Sequence, residues 1–362
     1  MRYFIAMVTL LLATTAHAEV LIGVAGPMTG TYANFGTQMA QGVQAAADQL
    51  NALGGIEGEL VEIISVDDSC DNRKAEIAAQ SLVQRNVAVV IGHYCTYPSL
   101  TAAKIYDVAG IPLITPAASL PALTEAGLPN VIRLVARDDA QGSFAALRMK
   151  VDYAADNIAV ISDGSAGSQT LLSRFNLAFA AAPGLSITIN PETELADDLI
   201  SDLAAKNTAA LYCACTGVDA GRIAAQISAA NLVIKIYGPD ALLVPQFWEN
   251  SNETAEGTFV SFALDPASSI DARKVVKSFK AADIAAESTT LLSYAALQLF
   301  AAAAERVGHK NGRAISSHLK SGASFSSVIG PLSFDAKGDV REPRLVWYVW
   351  SNGKVATEYS AK

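Results

Sequence analysis

Side chains able to do chemistry are sparse in this chain, and their spacing sorts them quickly. Histidine, the usual general base near neutral pH, occurs at His17, His93, His309 and His318. His309 and His318 fall in a polar helical stretch and read as solvated surface. His93 follows an apolar run beside Tyr94 and Cys95 and reads as a satisfied histidine near a disulfide, with a place on a binding rim as the alternative. Paired carboxylates at Asp67-Asp68, Asp138-Asp139 and Asp197-Asp198 each precede or open an expected helix, where acidic side chains offset the helix dipole. Capping, not acid–base work, is therefore their reading. No H-E-x-x-H, G-x-x-x-x-G-K or G-x-S-x-G motif is present, and "SHLK" at Ser317 lacks the companion motifs of a serine–lysine enzyme. Without a nucleophile, metal cluster or phosphate loop, no catalytic residue, metal or cofactor is expected, and the chain reads as a binder and not an enzyme.

Hydroxyls give a stronger pattern. In "VVIGHYCTYPSLTAAKIYDVAGIPLITPAAS", Thr96, Ser99, Thr115 and Ser119 stand just past apolar runs and ahead of helical patterns. In parallel doubly wound sheets, ligands bind outside the carboxyl ends of the strands, where amides at helix N-termini are free. Hydroxyls and amides converging on such a rim suit a small carboxylate.

The elements that must position this rim are legible from alternation. "VLIGVAGPM" reads as a strand, and Met39, Val43, Ala46 and Leu50 then recur at helical spacing up to Gly54, where a C-terminal glycine stop is expected. Strand-like runs begin again near Leu60, Val87, Ile111, Val131, Ile158, Ile187, Ala209 and Val233, and helical patterns follow most of them. Continuous apolar strands alternating with helices imply parallel sheets covered on both faces. The fold class is α/β, and two doubly wound sheets fit the 362 residues better than one. The alternation restarts after Arg137 in "RLVARDDAQG", and the chain crosses back near "SFALDPASS". The end reads as strands joined by turns at Lys337-Gly338 and Asn352-Gly353.

Composition excludes other classes. A formal net charge of -9 without basic runs makes a poor nucleic-acid binder, and 51% hydrophobic with 17% charged residues supports large cores. "MRYFIAMVTLLLATTAHA" combines Arg2, an apolar run and a small-x-small end, and reads as a Sec-type signal peptide over residues 1–18, cleaved after Ala18. Its apolar run is shorter than the roughly 20 residues a membrane span needs. Cys70 and Cys95 each stand just past a strand-like run, close enough to bridge if those strands are parallel neighbours. Cys213 and Cys215 lie on one face of an expected strand, where full extension makes an intrapair bridge awkward, so they read as buried free thiols; half of a metal site finds no complementary Cys or His cluster.

"GVAGPMTGTYANFG", "LNALGGIEGELVEIISVDDSCD", "VIGHYC", "GIPLITPAAS", "TEAG", "YGPD" and "GPLSFDAKGD" occur in this order from Val20 to Asp339. Together they resemble the leucine/isoleucine/valine-binding proteins of bacterial branched-chain amino acid ABC transporters. The resemblance implies a type I periplasmic binding fold with a three-segment hinge: lobe 1 over 19–137 and 264–341, lobe 2 over 138–263 and 342–362. It implies a Cys70–Cys95 disulfide, a periplasmic and monomeric protein, and a membrane permease as partner. It places a ligand carboxylate at Thr96, after Cys95, and at Ala117, Ala118 and Ser119. The ammonium falls to a backbone carbonyl of that turn and to Asp240, which otherwise reads as a helix cap. This sequence departs from the family in its side-chain walls. Phe35 stands for a tyrosine, Tyr94 for an apolar residue, and Gly167 and Thr216 for two tyrosines of the second lobe; Tyr94 and Tyr97 partly refill that space. The implied ligand is a small amino acid, branched-chain or otherwise hydrophobic, with aromatic carboxylates or short amides as the alternative.

Overall fold

A computed structural model of the protein describes residues 19–190 and 198–358. The expected signal peptide with its cleavage point, and Asp197, lie outside the described residues.

Apolar runs become two sheets. The first has the order β2-β1-β3-β4-β5, from β1 (Glu19–Gly26), β2 (Leu60–Asp67), β3 (Val89–Gly92), β4 (Leu113–Thr115) and β5 (Val131–Arg133). All its pairs are parallel. Strands β3, β4 and β5 are buried at every position, as continuous apolar runs between helical layers require. The second sheet comprises β6 (Ile158–Ser162), β7 (Leu185–Thr188), β8 (Ala210–Ala214), β9 (Lys235–Gly238), β10 (Phe259–Ala263), β11 (Leu345–Ser351) and β12 (Lys354–Thr357). Its order is β12-β11-β10-β9-β8-β6-β7. β11 runs antiparallel to both its neighbours, β10 and β12, and joins β12 through a turn at Asn352 and Gly353 whose φ values of 51° and 70° suit these residue types.

The chain passes between the sheets three times: after β5, after β10, and again before β11. Between the second and third passages, helix Ser288–Val307 packs with strand β1 and helix Ala33–Ala52 in the first core. That contact is close because Gly42 has no side chain; a Cβ there would lie 2.1 Å from the Thr290 carbonyl oxygen.

Three local readings need correction. The turn at Lys337-Gly338 is flanked by the single bridges Phe334↔Val340 and Arg133↔Asp339, not by strands, because it packs against the end of β5. His309 is buried, not solvated: its Nδ1 pairs with Glu57, its amide donates to the same carboxylate at 2.9 Å, and Nε2 lies 3.4 Å from Glu59. Cys213 and Cys215 are joined in a disulfide, not free. Strand β8 ends at Ala214 and the chain bends at Cys215, which brings the two Cα atoms to 5.4 Å and removes the full extension that opposed a bridge.

Candidate functional site

The rim of the first sheet is tied together by buried polar groups. A Cβ at Gly92 would lie 2.1 Å from the Ala25 carbonyl oxygen, at a φ of 145° that only glycine adopts easily, so the chain leaves β3 pressed against β1. His93 follows, fully buried, with Nδ1 at 2.6 Å from Asp68 Oδ2 and Nε2 at 3.1 Å from Tyr106 Oη. Its carbonyl accepts from Ser99 Oγ at 3.2 Å and Thr115 Oγ1 at 3.0 Å. His93 is thus the satisfied histidine of the two readings, and it joins the ends of β2, β3 and β4. The Cys70–Cys95 disulfide, with Cα atoms 5.5 Å apart, adds a covalent tie. Its strands are not neighbours, since β1 lies between β2 and β3; the loops beyond them converge instead.

Next to the disulfide lies a cavity of about 510 Å3 lined by Cys70, Asp71, Asn72, Tyr94, Cys95, Thr96, Tyr97, Pro98, Ala117, Ser119 and Leu120. Helix Thr96–Ala109 starts here without a side-chain cap; Pro98 has no N–H and the Ser99 amide donates to the Cys95 carbonyl at 2.9 Å, which leaves the amides of Thr96 and Tyr97 as the donors of this first turn. Thr96 Oγ1 accepts from the Leu120 amide at 3.4 Å, which leaves its own proton to donate. Ala118 behaves differently from expectation. It is buried, its amide donates to Thr115 Oγ1 at 3.0 Å and its carbonyl accepts from Arg133 Nη1 at 3.1 Å. It therefore supports the turn without lining the cavity. The Ala117 amide is likewise directed to Thr115 Oγ1, at 3.3 Å.

From Ser119 a polar chain leads to the second sheet. Ser119 Oγ donates to Asp138 Oδ2 at 3.1 Å. Gln141, one turn on, holds Asp240 twice: its Nε2 donates to Oδ1 at 2.9 Å and its Oε1 accepts the Asp240 amide at 3.0 Å. Burial pushes both carboxyls above the ordinary range; Ser119 opposes this for Asp138 while the Asp240 charge adds to it, and Gln141 opposes it for Asp240. Neither makes an ion pair with a basic side chain among the described residues. Two such carboxylates create a potential that favours a cation.

The capping reading fails for the first two acid pairs, while Asp198 opens helix Asp198–Ala205 in its first turn, as expected. Asp67 accepts from the Met28 amide at 2.8 Å, Asp68 meets His93, and the cap of helix Asn72–Gln84 is Asp71. Asp139 holds Arg137, by two bonds of 2.9 and 2.8 Å, and Arg174 at 2.8 Å. Arg137 reaches on to Glu125 at 2.7 Å and Asp339 at 3.3 Å, so an ion-pair network crosses between the sheets beside a cavity of about 340 Å3. Asp138 and Gln141 carry no motif of their own; the only sequence signal was two acids at the point where the alternation restarts.

The other expected residues line the rims without entering the cavity. Phe35 stacks on Tyr94 with ring centroids 4.5 Å apart. Gly167 opens helix Ala166–Phe179, and Thr216 caps helix Gly217–Ala229 by accepting the Asp219 amide at 3.2 Å. Both are exposed at the strand ends of the second sheet, and with Asp240 they stand apart from the cavity of the first.

Two doubly wound sheets exchanging three chain segments, with polar groups at the facing strand ends, define the two-lobed α/β ligand-binding proteins. The chain belongs to the periplasmic binding protein family, which matches residues 19–352. It is 32% identical over 351 residues to an amino acid binding protein of Pseudomonas aeruginosa, covering 94% of this chain and 92% of that one. It is 32% identical over 343 residues to Leu/Ile/Val-binding protein homolog 1 of Brucella suis, with the same coverage. An ABC transporter substrate-binding protein of Desulfitobacterium hafniense, solved in complex with Leu, superimposes with a TM-score of 0.74 at 24% identity, over 94% of this chain and 99% of that one.

Proposed function

We propose that the protein is an exported solute-binding component of an ABC transporter that captures a hydrophobic α-amino acid between its lobes and delivers it to a membrane permease. The observation that carries this reading is the polar chain Ser119–Asp138 and Gln141–Asp240, which sets hydroxyls and a helix N-terminus beside two carboxylates that make no ion pair with a basic side chain among the described residues. Thr96 Oγ1 and the amides of Thr96 and Tyr97 take the ligand carboxylate, joined by Ser119 when its hydroxyl proton turns from Asp138 to the ligand. Asp138 and Asp240 take the ammonium. The Leu/Ile/Val-binding relatives support an amino acid as ligand.

The moving bodies are 19–137 with 264–341, and 138–263 with 342–362. Ligand contacts drawn from both bodies are fully made only on closure, so binding shifts the population toward the closed form that meets the permease. Residues 1–18 are a signal peptide removed after Ala18, and the mature protein works as a periplasmic monomer without a nucleic-acid partner. A second reading, an aromatic carboxylate or a short amide, is favoured by the open rim at Gly167 and Thr216.

Thermal unfolding of ligand-stripped protein with and without each candidate tests both. A ligand at 100 times its dissociation constant adds about 2.7 kcal/mol of stability. A midpoint raised by aliphatic or aromatic amino acids supports the main reading; one raised only by benzoate or amides removes Asp138 and Asp240 as ammonium partners.

A further inference from the structure

Beside the carboxylate anchor, a set of rings bears on what the ligand carries as its side chain. Tyr94 lines the 510 Å3 cavity next to Thr96, and its ring lies on Phe35 with 17° between their planes. Tyr32 adds a third ring at 6.2 Å, and Tyr97, 59% exposed, lines the same cavity. This wall is held in place from behind. Phe35 lies in the first turn of helix Ala33–Ala52, and Gly36 is packed so tightly that a Cβ there would lie 2.2 Å from the Pro27 carbonyl oxygen.

Among the described residues, the second-lobe rim at Gly167 and Thr216 has no matching wall. A Cβ at Gly167 would meet only Ser165 Oγ, at 3.9 Å, and Thr216 is exposed. A branched aliphatic side chain would touch the rings over a small area and leave atoms on its far side without partners, forfeiting dispersion contacts. A flat ring covers the wall and also gains from stacked or edge-on ring geometry.

We propose that the site selects α-amino acids with an aromatic side chain, the ring seated against the Tyr94–Phe35 pair and extending toward Gly167 and Thr216. This rests on the amino-acid reading above, since the anchors for carboxylate and ammonium fix where the side chain starts.

Calorimetric titration of the ligand-stripped protein with L-phenylalanine, L-leucine and benzoate tests it. Phenylalanine is expected to bind about fivefold tighter than leucine, the scale of one aromatic pair. Tyr94→Leu is expected to lower that preference about fivefold. Gly167→Tyr, at an exposed helix start with open space beyond it, should do the same by narrowing the rim, which keeps the proposal testable if the first variant folds poorly. Leucine binding as tightly as phenylalanine, or tighter, overturns the aromatic preference and leaves the amino-acid reading standing. Binding of benzoate with no response to either amino acid overturns that reading, and the preference with it.

Discussion

Replacing Asp240 with asparagine separates charge from packing at the site. Gln141 donates to Asp240 Oδ1 at 2.9 Å and accepts its amide at 3.0 Å. An asparagine can present its carbonyl oxygen to the same donor, so the clip survives, while the negative charge and the second acceptor oxygen are lost. A hydrogen bond to a charged group contributes about 1.5–3 kcal/mol. Loss of about 2 kcal/mol raises Kd for the amino acid about thirtyfold. The empty protein should respond in the opposite direction. Burial raises the Asp240 pKa, so the folded state holds this proton more tightly than the unfolded chain does. The associated stability is fully present below the unfolded carboxylate pKa of about 3.9 and is lost as pH rises through the folded value. Near neutral pH the ionised carboxylate therefore costs stability, and Asp240→Asn should raise the melting midpoint of the ligand-free protein. Ligand affinity of the unmodified protein falls as pH drops through the same raised pKa, because an ammonium needs the ionised form; the variant flattens this dependence. Calorimetry across pH, with thermal unfolding of ligand-free samples, measures both. Unchanged affinity would refute an ammonium contact at Asp240. Lost affinity with a lowered ligand-free midpoint would mean that the substitution broke the Gln141 clip, and the charge argument would fall.

The remaining expectations concern neighbouring groups. Ser119→Ala should cost about 1.5–3 kcal/mol of ligand affinity and, by removing the donor to Asp138, move the acid limb of binding to higher pH, as read by titration calorimetry across pH. Asp139 is held below the ordinary carboxylate range: burial acts to raise it, but Arg137 and Arg174 outweigh that. Its stabilisation is present above the unfolded pKa and lost as pH falls through the lowered folded value, so Asp139→Asn should cost about 3 kcal/mol in urea denaturation near neutral pH and little in strong acid. The paired change Cys70→Ala and Cys95→Ala opens a loop of sequence separation 25, at about 3.5 kcal/mol by loop entropy. The pair Cys213→Ala and Cys215→Ala opens a separation of only 2, at about 1.5 kcal/mol on the same relation; equal losses in denaturant titrations would contradict the loop-entropy account.

Strand positions were legible because buried parallel strands need unbroken apolar runs, and such runs begin within two residues of the starts of β2 to β9. Strand β10 was hidden because Ser261, fully buried within it, bonds to Gln141 and the Gly238 carbonyl, so a polar residue interrupts the run and "SFALDPASS" reads only as a crossing. His309 failed for a related reason. Its neighbours in sequence are polar, and the Glu57 that buries it sits in a turn 252 residues away. Local pattern reports the face an element presents; it does not report what a distant loop places against that face.

Asp138 shows the same limit where it matters for function. Its position ahead of helix Ala140–Asp152 fits a cap, and only the arrival of Ser119 from another strand end gives it a different partner. Its place on the segment between the sheets has a mechanical consequence. Burial and the Asp240 charge make the ionised empty site unfavourable, and a ligand ammonium relieves that cost only when both carboxylates reach it. A ligand shifts a conformational equilibrium by no more than its difference in affinity for the two states. Placing one carboxylate on the crossing segment and the other on the second sheet ties that difference to closure, so a neutral ligand of the same shape should bind the open form and close it poorly.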